Sequence, residues 1–167
     1  FRSRGGMALC DNATLKMGSK VYGACSIGPH CKVGGEINNV IFQSYSNKGH
    51  DGFLGNSIIG EWCNLGADTN TSNLKNNYSN VKTYSYKSKT EIKTDLQFMG
   101  LCMGDYSKSG INTMFNTASV IGVSSNVFGS GFPAKHIPSF SWVNTLDIVT
   151  FDLGKAITSA NNMMTRR

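Results

Sequence analysis

Two stretches of the chain place an inward residue, bulky at all but Ser109, at every sixth position, and this period restricts the fold more than any other feature. Leu9, Leu15, Val21, Ile27 and Val33 form the first series, and Met103, Ser109, Phe115, Ile121 and Val127 form the second. A shorter series, Ile59, Leu65 and Thr71, lies between them. Two residues before each stands a mostly small one: Met7, Ala13, Ser19, Cys25 and Cys31; Ser57, Cys63 and Thr69; Leu101, Ser107, Thr113, Ser119 and Ser125. A repeat of six is neither a helical nor a simple strand period, and it matches a parallel β-helix built from hexapeptides.

Residues two apart on a strand face the same side, so both columns point inward. Three hexads make one triangular coil, and residues eighteen apart are expected to stack: Leu9 on Ile27, Leu15 on Val33, Met103 on Ile121. Glycine follows the bulky position at Gly28, Gly34, Gly60, Gly66, Gly104, Gly110 and Gly122. There a left-handed or otherwise tight backbone is expected to require it.

The phase slips twice. Val33 to Ile59 spans 26 residues, two more than four hexads, so residues 39–56 are expected to interrupt the coil. Thr71 to Met103 exceeds five hexads by two. That second gap holds strand-like runs at residues 81–86 and 91–96 around Lys87-Ser88-Lys89-Thr90, which predicts a projecting hairpin. Past Val127 the pattern gives way to an expected extended segment leaving the solenoid. Ala156, Ile157, Ala160, Met163 and Met164 then recur at helical spacing behind Asp152, a plausible N-cap. The domain reading is a β-helix over residues 1–131 with an insertion at about 73–100, then an extended segment and a C-terminal helix over 132–167.

Composition limits the partners. A net charge of +6 suits nucleic acid or an anionic small ligand. Basic residues cluster only at Arg166-Arg167 and, spread out, at Lys82, Lys87, Lys89 and Lys93. Tyr84 and Tyr86 among those lysines allow a single-strand-binding reading, but a solvated hairpin face accounts for them, and no nucleic-acid partner is expected. Cys25, Cys31 and Cys63 occupy small inward positions, and no zinc-like spacing appears. Five cysteines so placed read as a reducing, cytoplasmic setting, with no membrane partner, no apolar span and no signal peptide. The pattern starts near Phe1 without an initiator methionine, which leaves room for an upstream domain.

The most specific stretch runs from His50 to Asn73. His50, Phe53, Leu54-Gly55, Asn64-Leu65-Gly66-Ala67-Asp68-Thr69 and Asn73-Leu74 stand at ungapped spacing. This arrangement resembles the acetyltransferase half of the bifunctional glucosamine-1-phosphate acetyltransferase / N-acetylglucosamine-1-phosphate uridyltransferase family. The similarity resumes at Met103-Gly104-Asp105, continues to Gly129, and covers roughly residues 7–131. The chain also resembles sugar-nucleotidyltransferase-like relatives of that family through Tyr45-Ser46-Asn47-Lys48, Gly60-Glu61-Trp62-Cys63, Gly110-Ile111-Asn112-Thr113 and Gly129-Ser130-Gly131-Phe132-Pro133.

The resemblance implies a left-handed parallel β-helix, a homotrimer, and an acyl-CoA site between neighbouring coils with acetyl-CoA as co-substrate and no metal. It implies His50 as general base, a task for which imidazole is suited. It implies Phe53, Asn64 and Asn73 as contacts to the acceptor, a sugar phosphate or nucleotide sugar, and Ala67, Ile111 and Gly129 as contacts to the CoA arm. Lys75 and Lys135 are candidates for the CoA phosphates. Two departures bear on the acceptor: Phe53 stands where the family has tyrosine, and Leu74 replaces a second tyrosine. The loop from Asn73 to Gly104 is also longer than in the family. Both departures argue against glucosamine-1-phosphate itself.

Plainer roles stand beside these. A lone histidine in a loop is ordinarily solvated; His50 differs by lying at a register break inside a matched motif. Asn64 either binds the acceptor or joins a stacked asparagine ladder, and Asn73 either binds or caps its loop. His30 and His136 read as surface residues, Glu61 and Asp68 as outward charges, and Asp51 as a group able to orient the His50 imidazole. Two further functions compete: a non-catalytic trimerisation domain of a sugar-1-phosphate nucleotidyltransferase, and a zinc enzyme of the carbonic-anhydrase type. The latter needs three converging histidines, and the placement of His30, His50 and His136 does not match it.

Overall fold

The computed structural model describes residues 5–145 and 147–166. Phe1 and Arg167, the second half of the terminal arginine pair, lie outside the described residues. The chain winds through β1 (Met7–Leu9), β2 (Thr14–Leu15), β3 (Lys20–Tyr22), β4 (Cys25–Ile27), β5 (Lys32–Val33), β6 (Glu36–Phe42), β7 (Asn47–Lys48), β8 (Phe53–Ile59), β9 (Asn64–Leu65) and β10 (Asn70–Thr71). An insertion carries β11 (Lys82–Ser85) and β12 (Thr90–Lys93). Winding resumes with β13 (Cys102–Met103), β14 (Lys108–Ser109), β15 (Met114–Phe115), β16 (Val120–Ile121), β17 (Asn126–Phe128), β18 (His136–Ile137) and β19 (Ser141–Asn144). The chain closes with β20 (Asp147–Thr150) and α1 (Leu153–Thr165).

These strands stack as parallel ladders on three faces. The first face orders β1-β4-β6-β8-β13-β16-β18, and the second β2-β5-β7-β9-β14-β17-β19. The third is built from β3 with the leading halves of β6 and β8, and then from β10 with β15. Leu9 pairs with Ile27, Leu15 with Val33 and Met103 with Ile121, as the eighteen-residue spacing requires. The architecture is an all-β parallel solenoid with a projecting hairpin and one C-terminal helix, in agreement with the left-handed β-helix expected from the sequence.

Three expectations give way. Residues 39–56 do not interrupt the coil. Ile27 stacks on Phe42 and Phe42 on Ile59, so winding continues through the segment with shortened corners. Val33 and Ile37 are only four apart, and β6 and β8 each turn a corner without ending, bent at Asn39 (φ 52°) and Asn56 (φ 47°). Nor does the chain leave the solenoid after Val127. β18 pairs with β16 and β19 with β17, adding a further coil before β20 folds back antiparallel on β19. The glycines after the bulky positions, finally, are not there for backbone conformation, since none of them has positive φ. They are steric: a Cβ on Gly28 would lie 2.6 Å from the Phe42 carbonyl oxygen, and one on Gly66 would lie 2.5 Å from that of Gly110.

The left-handed positions are taken by other residues. At the corner between the first and second faces, Asn12, His30, Tyr45, Trp62, Tyr106, Ser124 and Phe140 all have φ between 52° and 61°. Each stands three places after the bulky residue of the first face. A side chain in this region is unfavourable, and four of the seven offset it by stacking. His30 lies 4.6 Å from Tyr45, Tyr45 4.3 Å from Trp62, and Trp62 6.4 Å from Tyr106, all nearly parallel. The small inward residues at the same corner carry hydroxyls that join one coil to the next. Ser46 Oγ donates to the Gly60 carbonyl (2.6 Å) and accepts from Cys63 N (2.8 Å). Ser107 Oγ does the same with Gly122 O (2.6 Å) and Ser125 N (3.0 Å).

One core position breaks the apolar rule. Lys48 occupies the bulky inward site after Val33 and is fully buried. Its Nζ donates to the carbonyls of His50 (2.8 Å), Asp51 (3.2 Å) and Gly34 (3.4 Å). Gly35 leaves room for it, since a Cβ there would stand 2.9 Å from Nζ. Burial lowers the Lys48 pKa from 10.5 to about 8, against the opposing pull of Asp51 and then Asp68.

Two measurements test this account of the core. Gly66→Ala forces a methyl group into the Gly110 backbone, and overpacking of that kind is expected to cost about 1–3 kcal/mol, read as a lower midpoint in urea unfolding. The second concerns Lys48. Because its folded pKa is depressed, the unfolded chain binds more protons between about pH 8 and 10.5, so stability rises with pH across that window and is lost again as pH falls through 8. The melting temperature of the wild-type protein relative to Lys48→Met is therefore expected to climb from pH 8 to 10 and stay level below pH 7; parallel curves would contradict it.

Candidate functional site

The corner between the second and third faces brings together residues far apart in sequence. It is formed on successive coils by residues 49–52, 66–68, 110–112 and 128–130. The layers are tied by Asp68 N to Asp51 O (3.0 Å), Asn112 N to Ala67 O (2.8 Å) and Gly110 N to Val127 O (2.8 Å). His50, Ala67, Ile111 and Gly129 thus rise along a single edge, with coils about 4.8 Å apart. His50 is exposed, Ile111 is 70% exposed, and Gly129 is exposed with φ 110°. At Gly129 a Cβ would come within 2.5 Å of Thr145 N, so glycine is required there both by conformation and by the next coil.

Lys48 positions the histidine from below. Its ammonium grips the carbonyls of His50 and Asp51 and so fixes the backbone that presents the imidazole. Asp51 does not orient the ring: among the described residues its carboxylate makes no hydrogen bond or ion pair with His50. The sequence offered a signal for Lys48, a lysine exactly six residues after Phe42, but a charge in an apolar column reads as a slipped register.

The expected acceptor contacts divide between two faces. Phe53 and Asn73 meet on the third face over Gly55, where a Cβ would lie 2.5 Å from Phe53 Cζ and 2.7 Å from Asn73 Nδ2. Phe53 N donates to Asn70 Oδ1 (2.8 Å), bridging a place where the third-face ladder between β8 and β10 is broken. Asn73 does not cap its own loop. Its Nδ2 donates to Asn56 Oδ1 (2.7 Å), and its carbonyl accepts from Met99 N (2.9 Å), closing the neck of the insertion. Lys75 and Lys135 are engaged elsewhere: Lys75 Nζ donates to Asn80 O (3.0 Å) and Lys135 Nζ to Lys82 O (2.7 Å).

Asn64 lies on the second face, in register with Asn47 and Lys108, so it does form a ladder. It lines a cleft of about 470 Å³ between this face and the end of α1, together with Lys32, Tyr45, Asn47, Trp62, Lys108, Met163 and Arg166. α1 begins where the sequence placed it, with Asp152 Oδ1 accepting from Lys155 N (2.9 Å), and Tyr106 OH reaches Met164 Sδ at its far end (3.7 Å). Burial lowers the Lys108 pKa and raises the Cys63 thiol behind the cleft to about 12, so that sulfur is no nucleophile.

The other histidines are not plain surface residues. His30 belongs to the aromatic stack, and His136 lies beneath Tyr84 of the hairpin at 3.4 Å, its pKa lowered by burial. Tyr84 is thus packed, while Lys82, Lys87, Lys89 and Lys93 are exposed, as a solvated hairpin face requires. With His50 at a different corner, the three imidazoles do not converge. No helix among the described residues is long and apolar enough to cross a membrane.

No protein-family model matches the chain. In sequence it is 28% identical over 137 residues to the bifunctional protein GlmU of Trichodesmium erythraeum, covering 81% of this chain and 25% of that protein. It is 33% identical over 120 residues to GlmU of Methanococcus aeolicus, covering 72% of this chain and 25% of that protein. The chain spans about a quarter of the length of the curated relatives it matches. Among solved structures, the polySia-specific acetyltransferase NeuO aligns over 86% of this chain and 79% of its own, with 14% identity and a TM-score of 0.37. The six-residue period, the stacked coils and the sequence similarity to GlmU together support a hexapeptide-repeat, acyltransferase-like β-helix domain.

Proposed function

We propose that the chain transfers an acyl group, normally acetyl, from acyl-CoA to an amine or hydroxyl of a sugar phosphate or nucleotide sugar. The observation that carries this reading is the shared edge: His50, Ala67, Ile111 and Gly129 lie at one corner on successive coils. An extended pantetheine arm would run along that edge past Ile111 and Gly129 and bring its thioester to Ala67. The His50 imidazole would take the proton from the acceptor as its nitrogen or oxygen attacks the thioester carbonyl. The C–S bond then breaks, and the proton passes to the departing CoA sulfur. General-base catalysis of this kind contributes about 10²–10⁴-fold. Phe53 and Asn73 flank the histidine's coil on the third face and would contact the acceptor.

Assembly fits the same picture. Ile41 and Ile58 point outward on the first face and are 44% and 49% exposed, an apolar strip suited to a neighbouring copy in a homotrimer. A second reading, a non-catalytic trimerisation domain of a sugar-1-phosphate nucleotidyltransferase, is favoured by the lack, among the described residues, of any carboxylate bonded to His50.

Release of CoA thiol from acetyl-CoA, measured across a panel of amino-sugar phosphates and nucleotide sugars, tests the proposal. His50→Ala is expected to lower kcat by about 10²–10⁴-fold while acetyl-CoA still raises the melting temperature. Ile111→Arg is expected to abolish that thermal shift without unfolding the chain. No thiol release and no shift in the wild-type protein would leave the trimerisation reading standing.

A further inference from the structure

We propose that the β11–β12 hairpin is a clasp: its turn lysines, Lys87 and Lys89, grip the Glu61–Asp105 corner of a second copy of this chain docked on the first face. The inference rests on the homotrimer reading above and says which parts of two copies meet. The docking surface is a groove beside the hairpin. Its floor is the outward column of the first face, where Ile41, Ile58, Cys102 and Val120 follow one another in register. His136 ends the column, and Tyr84 of the hairpin stacks on it. Ile58, Cys102, Val120, Val123 and Tyr86 line an open groove of about 360 Å³. Ile58 is 49% exposed and Tyr86 57%, and the strip continues into Ile41. Apolar surface of this extent marks an interaction site.

Charge identifies the occupant. Lys82, Lys87, Lys89 and Lys93 of the hairpin are all exposed, and its one acid, Glu91, is paired with Lys135. None of the four lysines has an acidic partner among the described residues. The complement lies on the same molecule. Glu61 and Asp105 occupy adjacent coils at the corner between the first and second faces. They are tied by Tyr106 N to Glu61 O (2.8 Å) and by Glu61 N to Asp105 Oδ1 (2.8 Å). Both side chains are exposed, and neither has a cationic partner among the described residues. Two carboxylates one coil apart repel, and two ammonium groups laid across them turn that repulsion into attraction.

The chain does not satisfy itself. Tyr86 lines the groove with Gly104, Val123 and Ser139, so the hairpin crosses the first face and its turn emerges at this same corner. Lys87 and Lys89 nonetheless make no ion pair with Glu61 or Asp105 of their own chain. A surface that carries both halves of a complementary pair and closes neither suits a head-to-tail contact. Each copy gives its hairpin to the next and receives one on its corner, and a ring of copies leaves no half unused. Apolar burial along the groove supplies the affinity, and the lysine–carboxylate contacts fix register and direction.

Two measurements on the full chain decide the matter, and neither needs catalysis. Sedimentation velocity reads the oligomeric state, expected to be a trimer. Lys87→Glu with Lys89→Glu is expected to raise its dissociation constant about tenfold, and Glu61→Lys with Asp105→Lys to do the same. Combining all four substitutions is expected to restore assembly, a rescue that misfolding does not imitate. The second measurement is zero-length carbodiimide coupling of an equimolar mixture of unlabelled and heavy-isotope-labelled chains, read by mass spectrometry. Cross-links of mixed label from Lys87 or Lys89 to Glu61 or Asp105 are expected. A trimer indifferent to the charge reversals, or such cross-links only within one label, would overturn the clasp and leave the assembly reading standing. A chain that stays monomeric at every concentration would overturn both.

Discussion

The structure depends on the distance between one coil and the next. Parallel ladders hold neighbouring strands about 4.8 Å apart on all three faces, and every residue at a corner must fit within that gap. This is why glycine follows the bulky residue on coil after coil: the carbonyl of the next layer already occupies the place of a β-carbon. It also explains the serine and thiol column. A corner strips carbonyls and amides of their ladder partners, and a short hydroxyl or thiol at the inward position reaches both in the next coil. Bulk at the face centre and smallness at the corner are two consequences of one spacing.

That spacing is what made most of the fold legible in the sequence. The bulky columns and their small companions have a period no other element shares, and Leu9, Leu15 and Met103 found the partners their numbers specified. The hairpin and α1 carried their own alternation and cap. What was not legible came from places where the chain keeps the geometry and changes the count. Gly34-Gly35 turns a corner in fewer residues, and Asn39 and Asn56 bend continuous strands, so the period breaks while the stacking does not.

The site was legible in part. The motif around His50 marked residues that do share one edge, because His50, Ala67, Ile111 and Gly129 occupy the same corner on successive coils, which a period finds. Asn64 sits at a different phase and opens onto a different face, a distinction visible only once the corners are located. Lys48 escaped notice because its value lies in its backbone partners, and no sequence pattern reports a carbonyl. The aromatic stack had a signal that went unread. His30, Tyr45, Trp62 and Tyr106 each stand three residues past Ile27, Phe42, Ile59 and Met103.

A stack of parallel strands is in principle an endless object, since its last rung offers the same unmet donors and acceptors as every rung before it. Here β20 returns antiparallel along β19, from Asp147 opposite Asn144 to Thr150 opposite Ser141, and α1 follows at once. The reversal spoils the template. On that face an incoming copy would meet a strand running the wrong way, so a fibre cannot grow by continuing the second-face ladder end to end.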